Sequence, residues 1–190
     1  MLVYFEGIDG VGKSTQISLF NDLECVKTCE PGGTKLGKSL RELIFGAHPS
    51  SRAEIFLFLA DRAEHYEKII KVNKHKLILS DRSFVSGLAY AMASHENYDI
   101  SELIAFNNFA LQGDFDAKFV LLLADEALLK TRLKKRGTSD NIEARGINYL
   151  LSVQNHMQTI LQNLKLPHIA LNANSDKNAL HKEIKKFIGI

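Results

Sequence analysis

Eight residues near the start of the chain, Gly7-Ile8-Asp9-Gly10-Val11-Gly12-Lys13-Ser14, match G-x-x-x-x-G-K-[ST] in full. They follow a short apolar run at 2–6 and precede a helical pattern, the strand–loop–helix context that the motif requires. Glycines let backbone N–H groups wrap a phosphate without Cβ obstruction, and the helix N-terminus adds partial positive charge. In such a phosphate loop Lys13 reaches the β- and γ-phosphates and the Ser14 hydroxyl binds magnesium, with Thr15 following. By residue frequencies the pattern arises by accident in under about 1% of chains this long. The sequence thus implies a nucleotide phosphate site, with ATP and Mg2+ as its ligands.

The loop demands a particular sheet around it, and the rest of the chain supplies the strands. Apolar or β-prone runs lie at 2–6, 25–29, 76–80, 117–123 and 168–171. Helical patterns fall at 13–23, 36–45, 51–72, 84–93, 100–111, 126–135, 146–164 and 178–188. Continuous apolar strands alternating with helices predict an α/β fold, a three-layer sandwich of the P-loop NTPase type. Its core would be a five-stranded parallel sheet flanked by helices. Ligands in such sheets bind beyond the carboxyl ends of the strands. The 190 residues read as a single domain, with no repeat or linker.

Net charge is only +2, which favours neither a nucleic-acid nor a membrane partner, and no run approaches a membrane span. The first residues are too short an apolar run for a signal peptide. Cys25 and Cys29, four apart without zinc-like partners, read as reduced thiols in a cytoplasmic protein.

The run Leu77-Ile78-Leu79-Ser80 ends in Asp81-Arg82. An acid in that position would hold magnesium through water. An Asp ending a strand is also an ordinary helix cap. A slow GTPase switch would carry N-K-x-D, but Asn73-Lys74-His75-Lys76 lacks the Asp, and D-x-x-G occurs only within the phosphate loop itself. A P-loop motor would usually need a larger chain or a basic face. A transferase acting on a small phosphorylated acceptor fits better. A phosphate monoester has its second pKa near 6, so its oxygen is already anionic at neutral pH and no general base is needed.

Arg82 and Arg62 are candidates for the acceptor. Phe58 and Arg62 stand i,i+4 on one helix face, so a ring and a guanidinium could clasp a base together. The bland alternative is a core phenylalanine and a salt-bridged arginine. Arg132 and Arg136, again i,i+4, precede Gly137-Thr138-Ser139-Asp140-Asn141, which reads as a mobile loop. A lid at about 132–145 could bring these cations over the transferring phosphates, although a charge run is more commonly a solvated face.

Taken together, Phe5-Glu6-Gly7 through Thr15, Glu30-Pro31-Gly32-Gly33-Thr34, Phe58-Leu59-Ala60-Asp61-Arg62-Ala63-Glu64-His65 and Asp81-Arg82 through Tyr90 resemble the bacterial thymidylate kinase family. The resemblance spans nearly the whole chain. It implies transfer of the ATP γ-phosphate to dTMP by a homodimer. It places Asp9 at the deoxyribose and phosphates, Phe58 on the thymine face, Arg62 at the thymine edge and Arg82 on the acceptor phosphate. Asp81 would lie near magnesium and Tyr90 against the ribose 2′ position, and Glu30, Pro31 and Ser86 complete the substrate site. Gly10 stands where one branch of the family has arginine, which points to a catalytic cation from the lid, Arg132 or Arg136. Cys29, Ser83, Ala91 and Asn141 depart from residues common in the family. The alternatives are a kinase for another nucleoside monophosphate or a deoxynucleoside, or a P-loop regulatory protein.

Overall fold

A computed structural model describes residues 1–94, 96–136 and 146–190, with the backbone alone at 133–136. Five strands, β1 (Leu2–Glu6), β2 (Cys25–Cys29), β3 (Leu77–Asp81), β4 (Lys118–Leu123) and β5 (His168–Asn172), form one sheet in the order β2-β3-β1-β4-β5. Every pairing is parallel, with Phe5 opposite Asp81 on one side and Val120 on the other. The expected α/β sandwich is the observed one.

Side-chain alternation along β1 builds both layers at once. Tyr4 stacks on Phe119, centroids 5.4 Å apart, and Phe119 meets Phe84 edge-on at 6.0 Å. Phe84 opens α4 (Phe84–Ala93), which packs with α7 (Ile147–Asn163) on this face. Phe5 points the other way, to Phe20 at 6.3 Å, and Phe20 meets His181 of α8 (Lys177–Ile188) at 4.5 Å. On that face α1 (Lys13–Ser18) lies beside α8. Beyond α4 stand α3 (Ser51–His65) and α5 (Ile100–Ala110), with α2 (Lys35–Gly46) against α3 and α6 (Glu126–Arg136) against α7.

Two helices depart from the expected spans. α1 ends at Ser18, not 23, because the chain turns there to bury Phe20 between Phe5 and His181. The pattern at 51–72 is not one α-helix: α3 gives way to a wide π turn at Tyr66–Ile70 and a 3-10 turn at Lys71–Asn73. The wide turn shifts the register, so that Tyr66 and Ile70 enter the core while Asp61, Arg62 and His65 face the loop after β2.

β1 sits between β3 and β4, so the loops leaving β1 and β3 open side by side at one end of the sheet. The phosphate loop and Asp81-Arg82 are therefore neighbours.

Candidate active site

The phosphate loop is shaped by backbone that other residues would resist. Gly7 has φ 137°, and a Cβ there would stand 2.6 Å from the Leu122 carbonyl oxygen of β4. Gly12 caps α1 at φ 104°. Lys13 folds back over the loop and donates to the carbonyls of Gly7 at 2.8 Å and Ile8 at 3.1 Å. Burial pulls its pKa below the ordinary lysine value, with Arg82 acting in the same direction and Asp81, Asp9 and Glu6 opposing. A lysine held by loop carbonyls is placed to exchange those bonds for phosphate oxygens.

Ser14 donates its hydroxyl to Asp81 Oδ2 at 2.9 Å. Asp81 Oδ1 is buried without a hydrogen-bond partner among the described residues, 3.9 Å from the Lys13 ammonium. A buried carboxylate oxygen lacking a donor, next to a hydroxyl, fits a cation seat. Magnesium takes one or two protein oxygens and completes its octahedron with water and substrate phosphate. The residues present fit that ion.

Arg82 joins the two loops. Its Nη2 lies 2.9 Å from Asp9 Oδ1, and its Nη1 donates to Ser86 Oγ at 3.1 Å. The residue itself is left-handed, at φ 77°, a conformation a side chain rarely adopts outside strained or functional positions. Behind it Glu6, fully buried, accepts from the hydroxyls of Ser83 and Ser86, both at 2.5 Å. Ser83 also caps α4 by accepting from the Val85 amide. Burial pushes the Glu6 carboxyl above its ordinary range, while the two hydroxyls and Arg82 oppose that rise. Glu6 thereby ties the end of β1 to the start of α4.

A cavity opens beside these groups, lined among others by Asp9, Pro31, Phe58, Arg62, Arg82 and Tyr90. Arg62 is buried along one wall and held by three elements. Its Nε donates to Glu30 Oε2 at 2.9 Å, Nη1 to Asn107 Oδ1 at 2.7 Å and Nη2 to the Ser83 carbonyl at 3.2 Å. Glu30 Oε1 is 2.9 Å from His65 Nδ1, and His65 Nε2 is 2.7 Å from Thr28 Oγ1. Burial raises the Glu30 carboxyl, but Arg62 and His65 outweigh it and hold the group below its ordinary value. The salt-bridged reading of Arg62 is therefore correct, and it does not remove Arg62 from the cavity wall.

Tyr90 lies under the Arg82 guanidinium, 5.6 Å from ring to Cζ. Its hydroxyl is buried without a hydrogen-bond partner among the described residues, and burial pushes its pKa up to about 12. Arg41, from α2, also lines the cavity and donates to the Pro31 carbonyl at 3.1 Å. Arg41, Asn107 and His65 were missed as site residues, because each lies on an element whose nearness to the phosphate loop is set only by folding, and Glu6, next to Gly7, was missed because its partners Ser83 and Ser86 reach it only in the fold. The one available signal was His65, three residues beyond Arg62 on the same helix face.

Arg132 stands elsewhere. Its Nη1 donates to the carbonyls of Gly10 at 3.0 Å and Val11 at 2.9 Å, and its Nη2 to Ala173 at 2.9 Å. It lines a second cavity on the outer side of the phosphate loop, with Thr15, Gln16, Ser175 and Lys177. Its guanidinium thus lies against the phosphate loop itself. The Arg136 side chain and residues 137–145 of the expected lid at 132–145 lie outside the described residues.

The family model for thymidylate kinase matches residues 5–184. The chain belongs to the thymidylate kinase family. The thymidylate kinase of Campylobacter fetus is 53% identical over 192 residues, covering 99% of this chain and all of that one. That of Campylobacter hominis is 50% identical over 194 residues, with 99% and 100% covered. Among solved structures, thymidylate kinase from Ehrlichia chaffeensis superposes with a TM-score of 0.73 at 26% identity, covering all of this chain and 98% of that one. Membership makes the chain a nucleoside-monophosphate kinase, and the two cavities flanking the phosphate loop suit the two substrates of such an enzyme.

Proposed function

We propose that the chain transfers the γ-phosphoryl group of ATP to dTMP, giving ADP and dTDP. The observation that carries this reading is the contact between Asp9 of the phosphate loop and Arg82, which puts a phosphate-binding cation between the donor loop and the Arg62 cavity.

In this reading the loop amides of 7–15 and Lys13 hold the donor phosphates. The base of the donor enters the second cavity, where Arg132 braces the loop and offers a flat guanidinium to stack on. Magnesium, when bound at Ser14 and Asp81, neutralises charge on the donor phosphates. Arg82 would hold the acceptor phosphate, with Arg41 beside it, and Asp9 orients Arg82 and meets the deoxyribose. Tyr90 stays neutral and bulky against the ribose, and Phe58 covers the base. The acceptor phosphate is dianionic at neutral pH, so no residue has to remove a proton and positioning suffices.

Arg62 reads the base. A guanidinium carries five N–H donors, and three are engaged, leaving two that lack a partner among the described residues. Donors on that wall accept a 4-carbonyl and repel a 4-amino group, which favours thymine over cytosine.

The reading includes a single kinase domain, a lid at about 132–145 carrying Arg136, a cytoplasmic location and a homodimer. The dimer is supported by an apolar face on α3 and α5, where Phe109 is 86% and Phe56 58% exposed. The free thiols of Cys25 and Cys29 are in keeping with a reducing compartment.

The test is ADP release from ATP and magnesium with dTMP, dUMP, dCMP, dGMP or AMP, with Lys13→Ala as control. Turnover with dTMP that the variant loses supports the reading. Equal turnover of all acceptors removes its specificity, and ATP binding without acceptor-dependent turnover removes the reaction.

A further inference from the structure

Arg62 is held from three directions, and one of the three holds has no counterpart in the motifs of the sequence. Asn107 is 5% exposed and comes from α5, an element otherwise remote from the phosphate loop. Its Nδ2 donates to the Leu103 carbonyl one turn back at 2.7 Å. That bond settles the orientation of the amide, so Oδ1 has to face Arg62, and it accepts from Nη1 at 2.7 Å. The other two holds, Glu30 on Nε and the Ser83 carbonyl on Nη2, leave both N–H groups of Nη1 without a partner.

The opposite side of the guanidinium faces a gap. A Cβ on Gly87 would stand 3.5 Å from Nη1 and 3.6 Å from Nη2, and Gly87, Arg62 and Asn107 all line the cavity. The two remaining N–H groups, one on each terminal nitrogen, are the ones available to a ligand there.

We propose that Asn107 is a positioning residue that sets the base specificity of the acceptor site. It takes up one N–H of Arg62 and adds a third hold to the guanidinium, so that two N–H groups remain for the cavity. This rests on the reading of Arg62 as the reader of the base edge. A rigid pair of donors binds a 4-carbonyl pyrimidine and rejects its 4-amino counterpart, because the amino group leaves buried donors facing donors. Without Asn107 the guanidinium gains a third unpartnered N–H and can turn, and the penalty against the amino pyrimidine falls.

The experiment compares the full chain with Asn107→Leu, Asn107→Ser and Asn107→Asp, using dTMP as substrate and 5-methyl-dCMP, which differs at C4 and in lacking the N3 hydrogen, as competing inhibitor. The expected result for Asn107→Leu and Asn107→Ser is a KM for dTMP raised about tenfold with kcat held within about twofold. The preference for dTMP over 5-methyl-dCMP should fall by about tenfold as well. Asn107→Asp keeps an acceptor for Nη1 and should keep the preference. Should Asn107→Leu fail to fold, as judged by its thermal melt, the Ser variant decides. An unchanged preference in a folded variant, or equal weakening of both ligands, overturns the inference while leaving the kinase reading intact. A wild-type chain that releases no ADP with dTMP overturns that reading and this inference together.

Discussion

Arg82 Nη2 lies 2.9 Å from Asp9 Oδ1, a bond that joins the residue after β3 to the middle of the phosphate loop. The guanidinium also donates to Ser86, so two directions define it before any phosphate arrives. Arg82→Lys keeps the charge and loses the fork. We expect kcat/KM for dTMP to fall about 10- to 100-fold, the scale of one charge-assisted hydrogen bond. Steady-state kinetics check this, and an effect under threefold would remove Arg82 from the acceptor site.

Glu30 links stability to pH. Burial raises its carboxyl, yet Arg62 and His65 bring it below the ordinary value of 4.5. A lowered folded pKa contributes stability above the unfolded value, and that contribution is lost as pH falls through the folded one. Glu30→Gln should therefore cost about 3 kcal/mol near neutral pH by stranding Arg62. The gap from wild type should narrow as the pH drops below 4.5. Denaturant melts at neutral and acid pH measure the gap, and a gap that widens in acid contradicts the assignment.

Gly7 tolerates no side chain. At φ 137° an added Cβ would meet backbone, the Leu122 carbonyl at 2.6 Å, and β4 is held in place by its pairing with β1 and β5. Gly7→Ala should lower stability by about 2–4 kcal/mol through strain and overpacking, with loss of ATP binding. Thermal melts and nucleotide titration test this. A variant with wild-type melting would show that the loop can move.

Phe109 tests the proposed dimer. It is 86% exposed on α5, and Phe106 on the same helix meets Phe56 of α3 at 5.9 Å. Phe109→Asp should convert a dimer to a folded monomer in sedimentation velocity. A wild-type chain that sediments as a monomer, or a variant that stays dimeric, would exclude this face.

How far the sequence went can be judged residue by residue. The strand at 2–6 was legible to the residue, since a buried parallel strand is a short apolar run, and the weaker signal at 25–29 reflects an edge strand only partly buried. That Lys13, Ser14 and Asp81 would meet was legible, because the motif fixes residue types at fixed spacing from a strand end and adjacent parallel strands end side by side. Periodicity could not show that the pattern at 51–72 breaks into a π turn, because a one-residue register shift leaves the composition unchanged. Nor could it place Arg132, whose i,i+4 partner suggested a lid but whose guanidinium rests on the carbonyls of Gly10 and Val11.

The sequence by itself determined the phosphate loop, the parallel sheet and the family, because each depends on local residue order or on patterns that survive without coordinates. Only the tertiary structure decided what surrounds Arg62. Glu30, Asn107 and Ser83 lie 32, 45 and 21 residues from it, and they meet only when β2, α5 and α4 pack around α3. A guanidinium's free donors are what remains after its neighbours are counted, and those neighbours are brought together by burying apolar faces, not by their place in the chain.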